Sequence, residues 1–419
     1  MKFKLTAIAM MMAASAAADN WPTWRGPGNN GVSHEKNLPV HWSTTENVAW
    51  KQPMPGLSGS SPIIWGEHIF LSLSDRGSIY LWALDRTTGN ARWKQKTSDG
   101  DMNVRKGNLS SPSPVTDGKT VWSLTGTGVL KAFDFSGKEL WERSLVKDYG
   151  QWGLNHGYGS SPLLHEGSLY IPVLHGMMTD DPSYVVRVDG ATGRVVWRVE
   201  RPTDALRESP DAYTTPVLVN VAGKPQLVVS GGDYVTGHDL ATGKEIWRAG
   251  GMNPRRATDY RVVASPLVHN DLIVVPTRVN PLQVFRAGGT GNISESHLAW
   301  TTRNGPDVPT PVTDGTLLYV VNDNGVVYCF DNKTGTSVYQ GQRMKPATYT
   351  SSPILADGKI YAGNEDGQII VLKAGSQFEV LAENSMDDYI LSTPTISDGQ
   401  IFIRTRHWLY AIGKRAAKN

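Results

Sequence analysis

Apolar residues in this 419-residue chain fall into short, partly alternating runs such as Val326–Asp331 and Trp408–Ile412, each closed by Gly, Pro, Asp or Asn. Runs of that length and period specify strands joined by tight turns, not helices. The turns repeat. Asp85, Gly89 and Trp93 recur at the same offsets as Asp189, Gly193 and Trp197 and as Asp239, Gly243 and Trp247, while Asp134, Gly137 and Trp141 repeat them with one residue deleted. Asp331 and Gly335 keep the spacing and place Tyr339 in the tryptophan slot. An Asp side chain caps such a turn, Gly takes the positive φ, and the large ring fills the gap to a neighbour. A second mark lies upstream in each unit, where small hydroxyl or alanine residues run into Pro62, Pro114, Pro162, Pro216, Pro266, Pro311, Pro353 and Pro394, spaced 41 to 54 residues apart. That period predicts an all-β, eight-bladed propeller with four antiparallel strands per blade.

The ends of the chain are expected to share the last blade. Residues 47–50, ending in Trp50, read as an outermost strand without inner partners, whereas the segments 395–403 and 408–412 read as inner strands without an outer one. Joining them closes the ring and removes an open sheet edge. Blade three carries an insertion at 174–183; blade five has Ala287 at the Asp position and a displaced Trp300, and blade seven has Ala374 and no late ring. The expected boundaries are a signal peptide at 1–18, an N-terminal extension at 19–46, the propeller at 47–412 and a tail at 413–419.

Composition narrows the function classes. Lys2 and Lys4, an apolar run at 5–14 and Ala16-Ala17-Ala18 before Asp19 form a secretory signal with cleavage after Ala18, placing the protein in the periplasm or outside the cell. The run is too short to span a bilayer, and no membrane anchor is expected. A formal charge of +2, all of it from Lys2 and Lys4 in the leader, leaves the rest of the chain near zero and recruits neither nucleic acid nor a membrane surface. The single cysteine, Cys329, excludes an intramolecular disulfide and sits in a strand pattern expected to bury it. A closed toroid of this kind is expected to be monomeric. The turn-rich segment around Trp21, Trp24 and Arg25 reads as an ordered clip with its rings packed on the body.

The Asp-x-x-Thr-Gly-x-x-x-Trp repeats, the eight units and the leader resemble the pyrroloquinoline-quinone-like β-propeller repeat family over residues 21–412. That resemblance implies one of two functions. Quinoprotein dehydrogenases of the family hold the quinone and calcium over the central channel; the barrel-assembly propellers of the periplasm are non-catalytic. The opening Trp21-Pro22-Thr23-Trp24-Arg25-Gly26-Pro27, followed by Asn30-Gly31-Val32-Ser33, looks like a further set of exported propellers.

No adjacent cysteine pair, Cys-x-x-Cys-His, Gly-x-Ser-x-Gly or His-Glu-x-x-His occurs, so no catalytic residue and no metal ligand is assigned. The sequence reading is therefore an exported binding or scaffold module with an unidentified protein or small-ligand partner and no cofactor. Its alternative is a dehydrogenase using pyrroloquinoline quinone and calcium to oxidise an alcohol or sugar. One constellation is expected to discriminate. The segments preceding the prolines should crowd one mouth of the channel, bringing together Asn108, Asn155, His156, Tyr158, Asp211, Tyr213, Asp259, Tyr260, Arg261, Asp307, Tyr349, Asp388 and Tyr389 as a site for a ligand with acceptor oxygens.

Overall fold

The computed structural model describes residues 20–104, 106–277 and 281–415. The signal-peptide segment and the last four residues of the tail lie outside the described residues. Eight four-stranded antiparallel sheets follow one another in chain order, each starting just after one of the eight prolines. In blade one the order from the channel outward is Ile63–Trp65, His68–Asp75, Ser78–Asp85 and Ala91–Asp99. The middle strands are buried on both faces and carry the near-continuous apolar runs, while the outer strand alternates between exposed and half-buried positions.

Closure follows the expected route. Val48–Pro53 pairs antiparallel with Trp408–Ile412, with Lys51 opposite Tyr410, outside Gln400–Arg404 and Thr395–Ser397. The tail adds to this seam. Arg415 donates to Glu67 and Thr87 of blade one and to Asp398 of blade eight, and its hydrogen bond, more than its charge, pulls the Glu67 carboxyl down to about 2.

Two rings of contacts hold the blades to one another. In the outer ring, the blade tryptophan lies on the turn of the following blade: Trp50 on Gly89, Trp93 on Gly137, Trp141 on Gly193, Trp197 on Gly243 and Trp300 on Gly335. A Cβ at any of these glycines would stand 2.5–2.8 Å from the indole, and each has a φ between +71° and +90°, so only glycine fits. The indole N–H then donates to a carbonyl of that turn, as from Trp50 to Arg86 at 2.9 Å and from Trp197 to Leu240 at 3.0 Å. Thr192 shows the capping, donating its amide and hydroxyl to Asp189 at 2.8 and 2.6 Å. Trp247 departs from the scheme because blade five lacks the Asp-Gly turn. It is fully buried in the core between blades four and five, with its N–H on Gln226 of its own blade at 2.8 Å. Residues 291–292, from the blade-five insertion, pair parallel with Trp247 and Arg248.

In the inner ring, the hydroxyl residue before each proline accepts the amide N–H of its counterpart in the preceding blade. Ser61 donates to Ser113, Ser113 to Ser161, Ser161 to Thr215, Thr215 to Ser265, Ser265 to Thr310, Thr310 to Ser352 and Thr393 to Ser61, all at 2.9–3.1 Å. Between Ser352 and Thr393 the belt is completed differently. There the Trp24 indole N–H donates to Thr393 at 3.1 Å.

Trp24 reaches that place because the extension threads the lumen. Trp21 pairs with Ile64 of blade one, Pro22 accepts from Thr116 of blade two, and Val32–Ser33 adds a parallel strand to blade seven. Arg25, buried, donates to Pro353 at 2.9 Å and Pro311 at 2.8 Å, clipping blades six and seven; burial pushes its pKa down to about 9. The extension is an ordered clip, as its turn-rich sequence implies.

Candidate functional site

Above the clip, the loops leading into all eight inner strands surround one cavity of about 650 Å³. Of the residues singled out from sequence, Asn108, Asn155, His156, Tyr158, Tyr213, Asp259, Arg261 and Asp307 line it. Register explains most of the rest. Tyr260 lies between two lining residues and turns the other way, fully buried in the core beside Leu174 and Val262. Tyr349 lies likewise between Thr348 and Thr350; its buried ring packs near Gly325 and its hydroxyl donates to Lys345 at 2.9 Å. Tyr389 is drawn aside to Glu365, to which it donates at 2.9 Å. Asp388 accepts from Thr405 and from the amide and ring of His407 instead of facing the cavity.

Asp211 is a support beneath the wall. Its carboxylate accepts the amides of Asn155 at 2.8 Å, Gly176 at 2.9 Å and Met177 at 3.1 Å, tying the blade-three insertion to the loop carrying His156. Burial outweighs those three donors and pushes its pKa up to about 6. Tyr213 accepts the His156 amide at 3.0 Å, and its own pKa is raised by burial next to Asp211. Tyr158 donates to Pro172 at 2.9 Å, which holds its ring in the wall.

Four charged or aromatic lining groups were missed by the sequence reading. Trp24 comes from the extension, Lys106 from the hairpin ahead of blade two, Glu208 from the loop before Pro216, and Asp323 from a blade-six hairpin whose Asp-Asn-Gly sequence reads as turn chemistry alone. Asp323 accepts the amides of Asp307 at 2.6 Å and Val308 at 2.9 Å, and burial raises its pKa. The Arg261 guanidinium lies 3.9 Å from Glu208 and 3.7 Å from Asp307. Its buried Nε makes no hydrogen bond among the described residues. Glu208 also accepts from Asn155 at 3.2 Å and lies 3.4 Å from the His156 ring. Lys106 spans to Glu365 at 2.7 Å. Among the described residues no group of three His, Cys, Asp or Glu side chains gathers to hold a metal ion, and no helix is long and apolar enough to cross a membrane. Cys329 is buried in its strand, away from the mouth, and burial pushes its thiol up to about 12.

Comparison with known proteins agrees with this architecture. The outer membrane protein assembly factor BamB of Bordetella pertussis is 23% identical over 355 residues, covering 83% of this chain and 81% of that protein. A polyvinylalcohol dehydrogenase of Sphingopyxis sp. is 23% identical over 377 residues, covering 84% of this chain but 55% of that protein. The structure of a europium-containing methanol dehydrogenase superposes with a TM-score of 0.73 at 13% identity, covering 94% of this chain and 98% of the other, a likeness of fold alone. The propeller is thus shared by assembly-factor and dehydrogenase relatives. A sequence profile described as outer membrane protein assembly factor BamB matches residues 32–150 and 83–341. Repeat turns, eight closed blades and this match together make the chain a member of that family of pyrroloquinoline-quinone-type propellers.

Proposed function

We propose that this protein is an exported propeller that holds a small polar ligand in its channel mouth. The observation that carries the reading is the cavity itself: about 650 Å³, fed by all eight loops and lined by charged and hydroxyl groups. Small-molecule sites have that size and that sparse, convergent polarity. A scaffold acting through its blade edges needs no such collection at the channel. The likeness to an outer membrane assembly factor supports the exported location.

Gly159 offers a direct test. It lines the cavity, and a Cβ there would meet only Tyr213, at 3.9 Å, so Gly159→Trp puts a ring into the space with little strain. Ligand-observed NMR with a library of small polar molecules should find binders that the wild type holds and Gly159→Trp loses. A library without any such binder would refute the reading.

A second reading, a quinone-dependent dehydrogenase, is favoured by the Arg261 wall and by the polyvinylalcohol dehydrogenase relative. The donor set fits the quinone; for calcium it offers single carboxylates, with no group of three gathered among the described residues. Arg261, whose Nε forms no hydrogen bond among the described residues, would take a quinone carboxylate, while Asp259 and Asp307 would offer oxygens to a hard cation such as calcium. A bound quinone would supply the acceptor for two electrons from an alcohol. The chain's own residues would orient and shield it, with Trp24 and the Ser/Thr belt below and Lys106 across the mouth. Incubation with pyrroloquinoline quinone and calcium chloride, followed by dialysis, distinguishes the readings. The first expects no retained chromophore; retained quinone absorbance with alcohol-dependent dye reduction would establish the second.

A further inference from the structure

We propose that Arg404 holds a small monovalent anion of halide size where blade eight meets blade one, whatever the mouth itself binds. Arg404 ends the second strand of blade eight, Gln400–Arg404, ten residues after Pro394. At the same distance from their own prolines, blades one, two, three, six and seven carry Ser72, Leu124, Pro172, Val321 and Gly363, so among these positions only Arg404 is charged. The side chain is buried, and its Nη1 donates to two carbonyls of blade one, Ser72 at 2.6 Å and Ser60 at 3.3 Å. Its Nε and Nη2 have no hydrogen-bond partner among the described residues. No acid acts on it either: burial alone sets its pKa, which falls to about 9.

The other buried arginines show what is unusual here. Arg25 commits both terminal nitrogens to three carbonyls, Arg86 commits both to Ser397 and Asp398, and Arg201 commits both to carbonyls of blade four. Arg404 is anchored by one terminal nitrogen and keeps the edge formed by Nε and Nη2, where parallel N–H groups grip an anion from two points. A water molecule on that edge would accept the protons and leave the buried charge uncompensated, which is costly; an anion offsets both. Ser72, whose carbonyl anchors the guanidinium, also has a buried hydroxyl without a partner, a further donor. Burial limits the occupant to a small ion. An approach exists from the mouth, since Ser60, and Ser392, which donates to the Arg404 carbonyl at 3.0 Å, adjoin the lining residues Gly59 and Leu391.

Crystals of the mature chain grown in sodium bromide, with data collected at the bromine absorption edge, read the site directly. An anomalous peak is expected within about 3.5 Å of Nε and Nη2, a hydrogen-bond length extended for the larger ion. Water alone at that edge, or bromide seated only elsewhere, would overturn the proposal. Thermal unfolding then separates a resident ion from binding at crystal concentration only. Sodium chloride in place of sodium gluconate at equal ionic strength should raise the wild-type midpoint by about 2 °C and leave that of Arg404→Met unmoved. No response in the wild type, or an equal response in both proteins, would overturn the site even if a peak is seen. If Arg404→Met does not fold, the bromide map and the wild-type response decide between them: both are required.

Discussion

The outer ring of docked tryptophans and the channel mouth are built by opposite rules. At the periphery one contact is copied around the ring, Trp50 on Gly89, Trp141 on Gly193, Trp197 on Gly243, and every copy satisfies the same packing and the same indole hydrogen bond. At the mouth the eight loops enter at equivalent positions and carry unlike residues: acids and Arg261 on blades four to six, Lys106 and Asn108 on blade two, His156 and Tyr158 on blade three, and Ser or Thr on blade seven. Repetition marks what the fold needs everywhere. Departure from it marks where one blade does something its neighbours do not, and the departures gather around the cavity. Stability should therefore reside mainly in the periphery and the belt, and ligand recognition in the loops.

The largest expected effect belongs to the blade tryptophan that leaves the peripheral ring for the core between blades four and five. Trp247→Ala should cost about 3–5 kcal/mol, because a fully buried indole and its bond to Gln226 are both lost. Denaturant unfolding gives the value, and a cost under about 1 kcal/mol would break the assignment of stability to the packing between blades. Next comes Asp211, which belongs to the mouth but acts as a support. Its pKa is raised from 3.8 to about 6, so its carboxyl is easier to protonate in the folded chain than in the unfolded one. The resulting stabilisation is complete below about pH 4 and is lost as pH rises through 6, a change of about 1–3 kcal/mol. Asp211→Asn should flatten that part of the stability profile; parallel profiles for the two proteins would count against it.

Gly193→Ala should cost about 1–2 kcal/mol, since φ is +71° and the new methyl would lie 2.6 Å from Trp141. The thermal midpoint reads this, and an unchanged midpoint would mean that the ring is loose enough to absorb a methyl. The smallest effect belongs to Arg261→Ala, expected to change stability by no more than about 0.5 kcal/mol because, among the described residues, Arg261 makes only long ion pairs at the cavity wall. A loss comparable to that of Trp247→Ala would erase the division between the two regions.

Much of the fold was legible because its marks are local. Asp189, Gly193 and Trp197 announce a capped turn and a ring within nine residues, and the lone outer strand ending in Trp50 announces a missing partner at the other end of the chain. The mouth was legible in outline for the same reason, since each proline dates the entry of an inner strand. Individual side chains were harder. Tyr260 and Arg261 are neighbours in sequence, yet one is core and the other lines the cavity, and the alternation that separates them depends on a loop register that composition does not reveal. Asp323 was hidden by its own turn, whose sequence is already accounted for by backbone geometry.

By itself the sequence determined strand period, blade count, the shared eighth blade and the level at which the loops enter, because each follows from residues a few positions apart or from an interval repeated eight times. The tertiary structure alone decided that the hydroxyls before the prolines link into a belt, that Trp24 completes it between blades seven and eight, and that Glu208, Arg261 and Asp307 share one wall. Those contacts join residues from different blades across distances set by the curvature of the whole ring. No local pattern encodes that curvature; it emerges only when every blade has packed against the next.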